Sequence, residues 1–217
     1  MKLRQCIVAI CFCTYSTLHA AELTVRIGSA RGLPVGDAIV TVTPRGSGVT
    51  PAPREPLATR FIDQKNETFV PYVQMLRPGD SVVFRNSDQT RHHVYSFAPA
   101  RQFEFVLAPG QSSSPLTLEH AGVIAVGCNI HDHMVTYLYV SDAPWMTRSN
   151  ADGLATLTVP SGDFDVRVWH PQLRPGQAEP EQSLHLSDVA SNQQLAFTLT
   201  LLPDPRGRPD RERADYP

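Results

Sequence analysis

From Cys128 to Met134 the chain reads Cys-Asn-Ile-His-Asp-His-Met, a thiol, two imidazoles and a thioether in one short stretch, and His92-His93 stands upstream of it. A thiolate with two neutral imidazoles and a weak thioether is the donor set of mononuclear electron-transfer copper sites. Sulfur suits Cu(I) and imidazole suits Cu(II), so a stiff scaffold holding a geometry between the two lets an electron arrive with little movement. Zinc would use Cys and His but has little use for a Met, and structural zinc usually gathers paired cysteines. A cysteine nucleophile would want a base from a distant part of the fold, and His131 is too near in sequence to serve. A buried core thiol is the plain alternative for Cys128, and core filling for Met134; the spacing of Cys128 before His131 and Met134 favours ligands. His120 and His185 lie in strand-like segments without company, and Trp169-His170-Pro171 reads as packing and a loop.

Such donors need strands to hold them. Val123-Ile124-Ala125-Val126 precedes the cluster and Val135 to Val140 follows it, so the cluster is expected on a loop between two strands. His92 opens the alternating run His92 to Ser96, whose alternation turns His93 to the opposite face. Other short runs are Leu23 to Ile27, Ala38 to Val42, Phe69 to Leu76, Ser81 to Phe84, Phe103 to Leu107 and Leu116 to Leu118. Pro78-Gly79-Asp80, Pro109-Gly110 and Ala151-Asp152-Gly153 punctuate them as turns. No window sustains a helical period, and regular short strands between Gly/Pro turns predict an all-β sandwich or barrel.

The chain has 217 residues, 41% of them hydrophobic and 18% charged, with a net charge of −2. That length suits one large domain or two small ones, and no basic excess exists to neutralise a nucleic acid. A basic start, Met1-Lys2-Leu3-Arg4, an apolar run from Ile7 to Phe12 and small residues at Ala20-Ala21 read as a secretory signal peptide over 1–20. Cleavage there would remove two basic residues and three of the four cysteines, leaving 17 basic against 21 acidic residues and Cys128 alone. A single thiol in an oxidising compartment is reactive, intermolecular or a metal ligand. Residues 46–56 read as a linker, Ser141-Asp142-Ala143-Pro144 as a second break, and 204–217 as a flexible, solvated tail.

Phe69-Val70-Pro71, the run from Arg77 to Asn86, His92 six residues after Asn86, and Cys128-x2-His131-x2-Met134 together resemble the cupredoxins, the plastocyanin, pseudoazurin and amicyanin group of blue copper proteins. The ligand loop has amicyanin's short spacing. The resemblance covers about 58–142 and implies a Greek-key β-sandwich with one mononuclear type 1 copper. It also implies His92, Cys128 and His131 as equatorial ligands and Met134 as the axial one. Where those proteins place Asn after the first ligand His, this chain has His93; where they place Thr or Ser after the Cys, it has Asn129. In the family those two positions cross-link the ligand loops, and an exchanged bond between His93 and Asn129 is expected here. The aromatic residue often found two before the Cys is replaced by Val126. His133, beside Met134, is an alternative nitrogen ligand for the axis, which would make a redder site of lower potential.

Gly32 to Val42 and Thr147 to Val168 resemble the hairpins of transthyretin-like or carboxypeptidase-regulatory domains, with the copper-like part between them. The domain organisation expected is therefore an Ig-like β-sandwich of 22–45 plus 146–203, with the 58–142 unit inserted in it; one extended tandem sandwich is the alternative. More loosely the chain resembles secreted bacterial methylamine-utilization or plastocyanin-like proteins. Function is then expected to be periplasmic single-electron transport by a non-enzyme, with transient redox proteins as partners and no membrane span in the mature chain. The alternative is a copper-binding module for storage, sensing or delivery.

Overall fold

Alternation decides which way each strand faces. In the first strand Leu23, Val25 and Ile27 are fully buried while Glu22 and Arg26 on the other face are exposed, the period-2 pattern of a sheet with one wet face. The computed structural model describes residues 20–46, 49, 51, 54–187 and 192–207, which form sixteen strands and one 3-10 turn. In chain order the strands begin with β1 (Ala20–Ser29), β2 (Ile39–Pro44), β3 (Thr59–Gln64), β4 (Phe69–Val70), β5 (Val73–Leu76) and β6 (Ser81–Asn86). There follow β7 (His92–Ala98), β8 (Arg101–Leu107), β9 (Leu116–Thr117), β10 (Gly122–Cys128) and β11 (Val135–Val140). The last are β12 (Trp145–Arg148), β13 (Leu154–Pro160), β14 (Gly162–Trp169), β15 (Glu181–Leu186) and β16 (Gln193–Leu199). The protein is all-β over these residues. Among them no helix is long and apolar enough to cross a membrane.

Two departures from the sequence reading have local causes. The single run expected from Phe69 to Leu76 is broken into β4 and β5, because Pro71 brings no N–H to a ladder. Strand β3 escaped notice because its first three residues are exposed and only Ile62 and Gln64 turn inward. It pairs in parallel with β6, from Thr59↔Ser81 to Gln64↔Asn86.

The strands assemble into four sheets, ordered β13-β1-β16, β12-β2-β14-β15, β5-β11-β10-β7-β8 and β4-β3-β6-β9. Leu23, Ile27, Val40, Val42, Phe164 and Val166 belong to one buried core, drawn from the first two sheets. Ile62, Phe69, Phe84, Val94, Ile124 and Leu138 belong to another, drawn from the last two, and it also contains Cys128 and Met134. Each such side chain contributes about 1.5–3 kcal/mol of burial, enough to make both cores stiff supports. The first core takes residues from both sides of the segment that makes the second. Ile39, Tyr72, Val73 and Tyr139 pack with Tyr137 and Trp169 in a smaller cluster where strands of the two meet. Of the expected tail, Pro205–Gly207 instead forms the 3-10 turn, and the Arg206 guanidinium lies 3.5 Å above the Tyr72 ring. Residues 1–19 of the signal peptide expected over 1–20, residues 47, 48, 50, 52 and 53 of the linker, and 208–217 lie outside the described residues.

Candidate metal centre

Register brings the two halves of the donor set together. Strands β7 and β10 are antiparallel with Cys128 opposite Val94 and Gly127 opposite Tyr95, so His92 comes up beside the loop that leaves Cys128. His92, Val94 and Ser96 face inward and are buried, while His93 faces out. A Cβ on Gly127 would stand 3.1 Å from the Tyr95 ring; the bare glycine lets that ring lie against the backbone next to Cys128. The ligand loop is closed by its own backbone: Met134 N–H donates to His131 O at 3.1 Å and Cys128 N–H to Met134 O at 3.2 Å.

Within this frame the Cys128 Sγ lies 3.7 Å from His92 Nδ1 and 3.9 Å from His131 Nδ1. All three donor atoms fall within 4.8 Å of one another, the one such group of His, Cys, Asp or Glu among the described residues. A first-row ion about 2.0 Å from nitrogen and about 2.3 Å from sulfur, with angles of about 120° between them, separates S from N by about 3.7 Å. The spacing therefore fits a single ion. Ile130 N–H points at the Sγ from 3.4 Å, a donor suited to a thiolate. Met134 is 2% exposed and packs in the same core. His133 is not part of the three-donor group; its Nε2–H donates to Glu67 O at 2.9 Å.

Two carboxylates that sequence reasoning missed stand behind the imidazoles. Asp88 Oδ2 accepts from His92 Nε2 at 2.9 Å, and the Asp88 side chain is only 11% exposed. Burial pushes the Asp88 carboxyl up, but the amides of Glu67 and Asn66 together with His92 outweigh it and hold the group below its ordinary range. Glu67 Oε1 lies 3.6 Å from His131 Nε2. A carboxylate on the far nitrogen fixes the tautomer and orientation of a ligating imidazole and raises its basicity. Asp88, four residues before His92, was visible only as one acid among many, and Glu67 is remote in sequence from the ligand loop.

The expected exchanged cross-link takes a different form. Asn129 N–H donates to His93 O at 2.9 Å, whereas the side chains approach only to 3.5 Å, too long for a strong bond. The backbone joins the two ligand segments, and the His93 side chain pairs instead with Glu104 at 2.6 Å. His120 is exposed and His185 pairs with Asp163 on the surface. His170 is buried between Gly36 O, to which its Nε2–H donates, and Gln172 N–H, which donates to its Nδ1.

No protein-family model and no curated protein matches this chain. Among solved structures, a Cu(I) form of an amicyanin mutant is 18% identical, with a TM-score of 0.36 over 38% of this chain and 82% of that one. A purple cupredoxin from Nitrosopumilus maritimus is 20% identical, with a TM-score of 0.34 over 38% of this chain and 99% of that one. A copper-containing nitrite reductase from Thermus scotoductus is 20% identical, with a TM-score of 0.35 over 46% of this chain and 25% of that one. The functional reading rests on the geometry of the site itself.

Proposed function

We propose that the protein binds one copper ion through His92, Cys128, His131 and Met134 and carries single electrons between transient periplasmic redox partners. The observation that carries this reading is the convergence of one thiol sulfur and two imidazole nitrogens, within 4.8 Å of one another, at the ends of two interior strands of a five-stranded sheet. Copper held there would supply a one-electron couple between Cu(I) and Cu(II). The chain's part is to keep the donors still: Asp88 holds His92, Ile130 N–H faces the sulfur, and the loop backbone ties Cys128 to Met134. Four candidate donors leave no open position for a substrate, which favours a carrier over a catalyst. Of the four, His92, Cys128 and Met134 are under 5% exposed, while the His131 side chain is 13% exposed. His131 is thus the ligand through which a partner would dock, in an encounter that is small and short-lived. The two cores support reading the chain as a copper unit at 58–142 carried in a loop of a second sandwich, and the leader-like start supports export.

The test is to add Cu(II) to the purified protein and to a Cys128→Ser variant and record visible and EPR spectra. An intense thiolate-to-copper charge-transfer band in the parent alone is expected. A parent without that band would refute the blue-copper reading, and a band without reversible one-electron cycling would turn the reading to copper storage or delivery.

A further inference from the structure

The tight turn between β3 and β4 is made of residues that do not suit it unless something holds them. Lys65 and Thr68 exchange both backbone bonds, at 3.0 and 3.2 Å, leaving Asn66 and Glu67 as the central pair, both with φ 52°. Positive φ at both central positions is the type I′ geometry, in which Asn suits the first place and Gly the second. A Glu in the second place is strained, and such strain persists where the surroundings over-determine it and where it serves a function.

Apart from the turn's own bonds, among them Thr68 O–H to Asn66 O at 3.2 Å, three contacts lead from it to the candidate metal centre. Asp88, which holds His92, also takes both turn amides, Asn66 N–H at 2.5 Å and Glu67 N–H at 3.0 Å. His133 Nε2–H donates to the Glu67 carbonyl at 2.9 Å. The Glu67 carboxylate reaches to 3.6 Å from His131 Nε2. A glycine would relax the turn and lose that last contact.

We propose that Glu67 is a positioning residue for the outer imidazole: its carboxylate steadies His131 with Nδ1 toward Cys128 and sets a negative charge at the exposed edge of the ligand. Asp88 does the same for His92 from inside, so each imidazole is backed by a carboxylate on its far nitrogen. The turn amides couple the two, because the carboxylate that fixes the inner histidine also fixes the backbone of the residue that faces the outer one. The Glu67 side chain is 49% exposed, so its field is screened by water and its effect is smaller than that of Asp88. A negative charge favours Cu(II) over Cu(I), and a steadied imidazole releases the metal more slowly. The inference rests on the copper reading proposed above.

Glu67→Gln and Glu67→Gly test it against the parent, each loaded with Cu(II). Gln removes the charge and keeps the strain; Gly removes the charge and relaxes the turn. In both, the ratio of Cu(II) to Cu(I) affinity is expected to fall about threefold, a rise of about 28 mV in potential. Transfer of Cu(II) to a competing chelator is expected to be at least about threefold faster. The metal-free Glu67→Gly protein is expected to melt no lower than the parent, which separates positioning from fold support. Unchanged potential and release in both variants, with the charge-transfer band present, would overturn this inference alone. A melting loss in metal-free Glu67→Gly without a shift in potential would also overturn it, by making the residue structural. A parent lacking the band would overturn the copper reading and this inference with it.

Discussion

Asp88→Asn removes one negative charge from behind His92 with almost no change of shape, and the reduction potential should rise. The carboxylate oxygen lies 2.9 Å from His92 Nε2. With the ion about 2.0 Å beyond Nδ1 on the other side of the ring, charge and metal are about 6–7 Å apart. Coulomb's law gives about 2.6 kcal/mol at an effective dielectric of about 20, and about half that at 40. The second figure allows for water near a side chain that is 11% exposed. At 59 mV per factor of ten for a one-electron couple, the expected rise is about 55–110 mV. The sign follows from the charges: a carboxylate stabilises the more positive Cu(II), so its loss favours Cu(I). Voltammetry of the copper-loaded variant beside the parent reads the shift, and the visible band checks that the ligands are in place. Asn can still accept one of the two turn amides, so a stability loss of about 1 kcal/mol is expected as well. A potential that stayed put or fell, with the band intact, would show that Asp88 does not act electrostatically on the metal.

Three further outcomes are expected. Met134→Gln should move the charge-transfer band and the potential while His133→Ala leaves the band in place; the opposite pattern would put His133 on the axis. Burial lowers the His170 pKa, with Arg206 assisting and the Gly36 carbonyl, Asp37 and Asp204 opposing. The unfolded chain therefore binds more protons, so stability from neutral His170 is present above about pH 6.5 and is lost as pH falls through the depressed folded value. Melting temperature across that window should drop more steeply for the parent than for His170→Gln, and equal slopes would refute the assignment. Gly153→Ala places a Cβ against the Ile27 carbonyl at φ 71° and should cost about 2–4 kcal/mol in chemical denaturation, leaving the copper spectrum unchanged; a stability equal to the parent's would refute the clash.

Strands such as β1, β7 and β10 were legible because each buries one face, and a buried face writes itself into a chain as alternation. Strand β3 was not legible: its first three residues are exposed, and its place is set by its parallel pairing with β6. Cys128, His131 and Met134 were read together because one loop carries them and because thiol, imidazole and thioether have few joint uses; the structure brings the first two, with His92, within 4.8 Å of one another. The link between His93 and Asn129 was expected at the right pair of positions, and the backbone bond is its stronger part. Strand pairing brings the two backbones to 2.9 Å and leaves the side chains 3.5 Å apart, with the far nitrogen of His93 on Glu104.

Donor chemistry, the all-β class and the outward turn of His93 were thus determined by residue type and local period, which survive in one dimension. Which nitrogen of each histidine faces the sulfur, and which carboxylate stands behind each ring, was decided only when the sheets packed. Asp88 lies in the loop after β6, Glu67 in the turn after its neighbour β3, and the ligand loop after β10; no spacing rule connects the three. They meet because one pair of sheets shares a core that places their ends within hydrogen-bonding distance. A bond 2.9 Å long is a property of that packing and leaves no periodic trace in the chain.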